Sequence, residues 1–286
     1  MAHVLIAGCG YVGTALAHRL VADGDTVFAL RRRTEGLPEA FQPIAADLCD
    51  PKSLAALPPV EVVVYSATPD AFSESAYRAT YVDGVSNVLE AVARTAQTLP
   101  RVLLTSSTSV YGQQDGEWVD ENSPTEPTDF AGACVLEGER VLSASAFPSA
   151  AVRFGGIYGP GRISLIERVR EGRAVLPVGP PRYTNRIHRD DCVGVLRHLM
   201  RIENLQPVYV AVDLEPAEIG DIYRFLAKRL GVAAPSTADV PAERGARRAR
   251  TNKRCRNARL VASGYRFRYP TYREGYAELL AQGRTS

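Results

Sequence analysis

Val4-Leu5-Ile6-Ala7 runs without a break into Gly8-Cys9-Gly10-Tyr11-Val12-Gly13 and then into Thr14-Ala15-Leu16-Ala17-His18-Arg19-Leu20-Val21. The first run is short, apolar and β-prone. The last carries Leu16, Leu20 and Val21 at the spacing of one helical face. Strand, G-x-G-x-x-G and helix in that order make the fingerprint of a dinucleotide-binding turn. Gly8 allows the tight turn, Gly10 lets the backbone approach a pyrophosphate, and Gly13 lets helix and strand pack closely. The N–H groups at the helix start, from Tyr11 and Val12 onward, then face the phosphates. The plainer alternative is a glycine-rich turn between a core strand and a core helix.

The chain has 286 residues, 45% of them hydrophobic and 23% charged, which suits one large globular domain or a domain with an appendage. A formal net charge of +2 selects no class of partner. Cys9, Cys49, Cys134, Cys192 and Cys255 are odd in number and form no C-x-x-C. That implies reduced thiols, no disulfide framework, no zinc site and a cytoplasmic location. The first strand starts too early for a signal peptide, and no apolar run reaches transmembrane length, so no membrane partner is expected. Arginine dominates the basic residues; the only lysines are Lys52, Lys228 and Lys253.

Thr26-Val27-Phe28-Ala29-Leu30 reads as the second strand. An NAD-binding fold places an acid at its end, on the ribose 2′-hydroxyl. Arg31-Arg32-Arg33 stands there instead. Guanidinium forks bind a 2′-phosphate that an acid would repel, so Arg31 and Arg32 favour NADP over NAD. A solvated basic turn is the alternative. Residues 44–48 read as a third strand, with Asp47 and Leu48 at its end; Asp47 either accepts from an adenine amino group or caps a helix. Residues 61–68 make a fourth strand whose small end, Ser66, Ala67 and Thr68, suits passage beside a cofactor. Residues 72–98 read as a long helical stretch, 101–107 as a fifth strand, 131–146 as a helix and 150–154 as a sixth strand. Strands alternating with helices predict a doubly wound α/β parallel sheet of Rossmann type.

Beyond residue 154 the composition shifts to glycine, proline and arginine. The expected organisation is a dinucleotide-binding domain over 1–154, rejoined by about 186–214. A smaller substrate-side lobe then takes 155–185 and 215–286. Helices are expected over 163–171, 191–202, 216–230 and 271–282, with a strand at 208–212. Residues 243–259 carry Arg244, Arg247, Arg248, Arg250, Lys253, Arg254, Arg256 and Arg259. Taken alone, such a cluster is most often a solvated face. Nucleic acid is not expected, because the rest of the chain is not basic.

GCGYVG at 8–13, Asp47-Leu48, SSTSVYG at 106–112, RFGGIYGPGR at 153–162 and NRIHRDD at 185–191 together resemble the extended short-chain dehydrogenase/reductases, the NAD-dependent epimerase/dehydratase group. The tail, KRCRNARL at 253–260 and GYRFRYP at 264–270, looks like the bacterial YeeZ-like branch. The resemblance implies a Ser/Thr–Tyr–Lys catalytic set. Ser107 matches its hydroxyl, Ala131 stands at the tyrosine position and Val135 at the lysine position, counted back from Glu139. No Y-x-x-x-K occurs anywhere in the chain; the nearest pairs are Tyr158/Arg162 and Tyr269/Arg273.

Ser107 either hydrogen-bonds a substrate oxygen or caps its strand. His188 either serves as acid/base or is a structural histidine bonded to backbone. Asp190 and Asp191 are expected to cap the following helix. Arg162, Arg186, His188, Lys253 and Arg254 are the expected substrate-binding residues. Two functions follow: an NADP-dependent oxidoreductase or epimerase-like enzyme with an atypical acid/base, acting on a nucleotide sugar or other hydroxylated small molecule, or a non-catalytic NADP-binding sensor or scaffold. A homodimer is expected from the two long helices against the sheet.

Overall fold

The computed structural model describes residues 1–96, 98–238 and 252–282. Its strands are β1 His3–Ala7, β2 Thr26–Arg31, β3 Gln42–Ala45, β4 Val62–Tyr65, β5 Arg101–Ser107, β6 Glu117–Val119, β7 Ser149–Phe154, β8 Gly156–Tyr158, β9 Leu176–Pro177, β10 Tyr183–Thr184, β11 Arg186–His188, β12 Val208–Ala211, β13 Ala217–Glu218, β14 Thr237–Ala238 and β15 Lys253–Cys255. Its helices are α1 Tyr11–Ala22, α2 Glu74–Arg78, α3 Gly84–Thr95, α4 Phe130–Ser143, α5 Ser164–Arg170, α6 Arg189–Leu199, α7 Ile219–Leu230, α8 Ala258–Ala262 and α9 Tyr272–Gln282.

The central sheet has seven strands in the order β12-β7-β5-β4-β1-β2-β3. β1 pairs in parallel with both β2 and β4, β2 with β3, and β4 with β5. The chain runs outward one way through β2 and β3, then returns to β4 on the other side of β1. That reversal is the topological switch point, where open α/β sheets bind ligands at the carboxyl ends of their strands. β1 and β4 are buried almost throughout, as strands covered on both faces must be.

Two compact units divide the chain. One comprises 1–110, 127–153 and 193–209; the other comprises 111–126, 154–192 and 210–286. Residues 111–126, which local sequence joins to the first unit, thus pack with the second. The first unit's core gathers Leu5, Leu30, Val63, Val85, Val88, Val102 and Leu104 from both layers. The second has its own core, built on Leu165, Ile166, Val169, Ile222, Leu226, Tyr272 and Tyr276.

The helical stretch expected over 72–98 runs from Glu74 to Thr95 and carries one irregular turn. Ala79–Asp83 forms a π-helical turn between α2 and α3. Tertiary contacts set this turn: the Tyr65 hydroxyl donates to the Thr80 carbonyl, and a Cβ on Gly84 would lie 2.5 Å from that hydroxyl. A Cβ on Gly138 of α4 would lie 2.3 Å from the Tyr81 carbonyl. The third strand ends at Ala45, short of Asp47, and the fourth ends at Tyr65, leaving Ser66, Ala67 and Thr68 in a loop.

Candidate functional site

Each glycine of the first turn meets a different physical demand. Gly8 has φ +92°, and a Cβ there would sit 2.4 Å from the Ala67 backbone nitrogen. Only a residue without a side chain allows that conformation and that approach. A Cβ on Gly13 would lie 2.8 Å from the Gly8 carbonyl and 3.0 Å from Ile6, so helix and strand touch there. Gly10 differs, because a Cβ on it would meet nothing within 4 Å. The space over Gly10 is the room a pyrophosphate needs. α1 begins at Tyr11 with no side-chain cap and no acidic residue in its first turn, so its N-terminal dipole faces outward uncompensated. The residues present fit a dinucleotide.

Arg31 closes β2, paired with Ala45 across the sheet. Arg32 follows it, and its Nη2 donates to Asp70 Oδ1 at 2.6 Å on an exposed surface. Hydrogen bonding to Arg32 holds the Asp70 carboxyl below its ordinary range. An exposed pair of this kind is weak and yields readily to a phosphate. Asp47 Oδ1 accepts from the Cys49 N–H at 2.9 Å, and the Asp47 N–H and carbonyl both bond the Ser53 hydroxyl. Asp47 is therefore built into its turn, and Leu48 packs on the core while its carbonyl accepts from Asn87 Nδ2 at 2.9 Å. Ser66 and Ala67 are buried and Thr68 is exposed; the Ser66 N–H donates to the Ala7 carbonyl at 2.7 Å. Cys9 is buried against Thr14, and burial pushes its thiol pKa up, which argues against a nucleophile.

Ser107 ends β5, half-buried, with its Oγ accepting from the Ser109 N–H at 3.1 Å. α4 starts beside this turn. Asp129 caps it, accepting from the Gly132 N–H at 2.9 Å, and a Cβ on Gly132 would lie 2.5 Å from the Ser109 carbonyl. Ala131 and Val135 are both buried on this helix. Beneath them Glu139 takes a bidentate Arg153 guanidinium, at 2.9 and 2.6 Å, together with the Ser106 hydroxyl. Sequence reading missed this buried set, although an arginine inside the apolar run Ala150-Ala151-Val152-Arg153-Phe154 signals that an acid must lie nearby. Tyr81, on the π-helical turn, has its phenol pushed up to about 12, chiefly by burial.

The expected substrate residues lie in the second unit. Arg162 is exposed in the loop closed by the Gly159–Arg162 bridge. Arg186 lies over Gly156, and its Nε is buried without a hydrogen-bond partner. His188 is buried between the rings of Tyr158 and Tyr269, and its Nδ1 accepts from the Asp190 N–H at 3.2 Å. Burial, only partly offset by Asp190, lowers its pKa to about 4, and its Nε2 is buried without a hydrogen-bond partner. Lys253 is buried with its ammonium on the Tyr111 carbonyl at 2.8 Å, a bond that ties β15 to the 111–126 segment. Arg254 Nε donates to the Gly116 carbonyl at 2.7 Å. Arg244, Arg247, Arg248 and Arg250 fall outside the described residues.

Asp191 does not cap a helix. It is buried and accepts from the Tyr265 hydroxyl at 2.7 Å and from the Arg268 and Tyr269 N–H groups at 2.8 and 3.0 Å. It pins the GYRFRYP segment, as three donors on one carboxylate can. Asp190 instead pairs with Arg189. Burial also acts on both tyrosines of the near-miss pairs. Tyr158 is stacked on Tyr276 and buried, and burial pushes its phenol far above the usual range. Tyr269 is raised by the same cause, and Arg273 is taken by Glu215. Among the described residues no group of His, Cys, Asp and Glu could hold a metal ion, and no helix is long and apolar enough to cross a membrane.

A parallel doubly wound sheet with a glycine turn at its switch point defines a Rossmann-type, dinucleotide-binding member of the extended short-chain dehydrogenase/reductases. The model of the NAD dependent epimerase/dehydratase family matches residues 4–207, and the chain belongs to that family. It is 30% identical to a 3-diazoavenalumate denitrifying reductase from a Streptomyces species, over 95% of this chain and 98% of that one. It is 28% identical to Protein YeeZ of Escherichia coli K12, over 82% of this chain and 86% of the relative. A solved structure from Methylobacillus flagellatus, assigned to the NAD-dependent epimerase/dehydratases, superposes with a TM-score of 0.81 at 38% identity and 99% coverage of both chains.

Proposed function

We propose that this protein is an NADP(H)-preferring reductase of a small molecule, with nucleotide sugars and other hydroxylated compounds as candidate substrates. The observation that carries the reading is a complete glycine turn in the same unit as an α4 that buries Ala131 and Val135 where the family's tyrosine and lysine stand. When bound, the nicotinamide supplies or takes up a hydride. Gly8, Gly10, Tyr11, Val12 and Gly13 hold the pyrophosphate, Arg31 and Arg32 the 2′-phosphate, and Asp47, Leu48, Ser66, Ala67 and Thr68 line the rest. Arg162 and Arg186 serve the substrate.

Alanine and valine side chains cannot carry a proton. Ser107 is then the hydroxyl left to bond the reacting oxygen, and a serine hydroxyl is a poor acid at neutral pH. General acid–base help is worth roughly 10²–10⁴-fold in rate. Substrates that need a proton from the protein should therefore turn over slowly. Acceptors that take up a hydride without a proton, such as iminium ions or aryl diazonium ions, which lose N2 as the hydride arrives, fit this side-chain set. A relative that is a reductase of a diazo compound supports this reading. The test is a substrate screen with the purified protein, following NADPH absorbance. Turnover of cationic acceptors with little turnover of nucleotide sugars is expected; no turnover of any acceptor would favour a sensor.

A further inference from the structure

β15 lies parallel to β6 with Arg254 opposite Trp118. Alternation along β15 sends Lys253 and Cys255 inward, where both are buried, and leaves Arg254 and Arg256 on the outer face. Trp118, the only tryptophan, is 45% exposed. The Arg254 guanidinium lies 4.9 Å from the centre of the Trp118 ring and 4.7 Å from that of Tyr183. Its Nε is fixed on the Gly116 carbonyl, at 2.7 Å. Gly116, at φ +80°, leaves Tyr183 room to close down, since a Cβ there would be 3.0 Å from that ring. Arg256 lies 4.9 Å from the same indole.

Two guanidinium groups thus flank one exposed indole, and among the described residues neither is in an ion pair with a carboxylate. Ring contacts and the Nε bond hold Arg254 in place before any ligand arrives, so ordering it costs a ligand little. Its two terminal nitrogens form the planar fork that matches two oxygens of a carboxylate or phosphate. We propose that the outer face of the β6–β15 ladder is an oxyanion-binding site, with Arg254 as the bidentate anchor and Arg256 as the second charge. This goes beyond the reductase reading and needs no cofactor.

Because Trp118 is the sole indole, its emission reports this site without any assay of activity. The full-length protein is titrated with inorganic pyrophosphate and, separately, with benzoate, against sodium chloride at matched ionic strength. A saturable emission change from one or both is expected; pyrophosphate alone identifies a phosphate site, benzoate a carboxylate site. Arg254→Gln should weaken that affinity tenfold or more, and Arg254→Lys should not restore it. Arg256→Gln, an exposed change that should fold normally, should weaken it several-fold. No saturable change, or affinity equal to the parent's in both glutamine variants, overturns the proposal. NADPH binding measured on the same variants should be unchanged, which separates failure here from failure of the cofactor reading.

Discussion

At the scale of single residues, the three glycines of the first turn should fail in different ways when substituted. Gly8→Ala forces a side chain against the Ala67 backbone at positive φ, and should cost at least about 2 kcal/mol by urea denaturation. Gly10→Val enters open space, so the protein should keep its stability and lose dinucleotide binding in a fluorescence titration. A folded Gly10→Val variant that still binds NADPH tightly would show the turn serves something else. Arg31→Asp should reverse the preference from NADP(H) to NAD(H), since it repels a 2′-phosphate and restores an acceptor for the 2′-hydroxyl. Equal calorimetric affinities for NADPH and NADH in the parent protein would refute the role given to Arg31. The geometry of the three glycines was legible in the sequence because it is local: strand, turn and helix are contiguous. Roles that depend on distant partners were not. Nothing beside Lys253 in sequence says that its ammonium ends on the Tyr111 carbonyl, nor does the sequence around Asp191 announce three donors from 265–269.

At the scale of elements, strands and helices with strong periodicity came out of the sequence with small shifts at their ends. The π-helical turn at Ala79–Asp83 did not, because Gly84 against Tyr65 and Gly138 against Tyr81 decide it across the fold. The two-stranded ladders, such as β6 with β15, were equally hidden, each being too short to show a period. The Ser106–Glu139–Arg153 set joins β5, α4 and β7 inside the first unit. Arg153→Met would strand the Glu139 carboxylate in a buried site. It should lower stability by roughly 3–5 kcal/mol, the usual cost of breaking a buried pair from one side. Replacing both partners, as Arg153→Met with Glu139→Leu, should recover much of that loss. Thermal denaturation of the single and double variants measures both; equal losses would mean the pair is not the source.

For the molecule as a whole, acid should weaken the fold through His188. Its imidazole titrates near 6.5 when unfolded, and burial lowers it to about 4 in the fold. Between those values the unfolded chain binds more protons, so stability falls as pH drops, by up to about 1.4 kcal/mol per pH unit. His188→Gln should flatten that part of the curve of urea midpoint against pH, and an unchanged curve would contradict it. The larger claim is that the cofactor-binding half of the site is complete while the proton-carrying half is absent. Pre-steady-state oxidation of NADPH at neutral pH, with an iminium acceptor and with the corresponding ketone, tests it most directly. Each rate is divided by the rate of the same acceptor with NADPH in buffer. The enhancement should be larger for the iminium by about 10²-fold, the contribution of the missing general acid. An equal or larger enhancement for the ketone would mean that the protein supplies a proton after all, and would contradict the account.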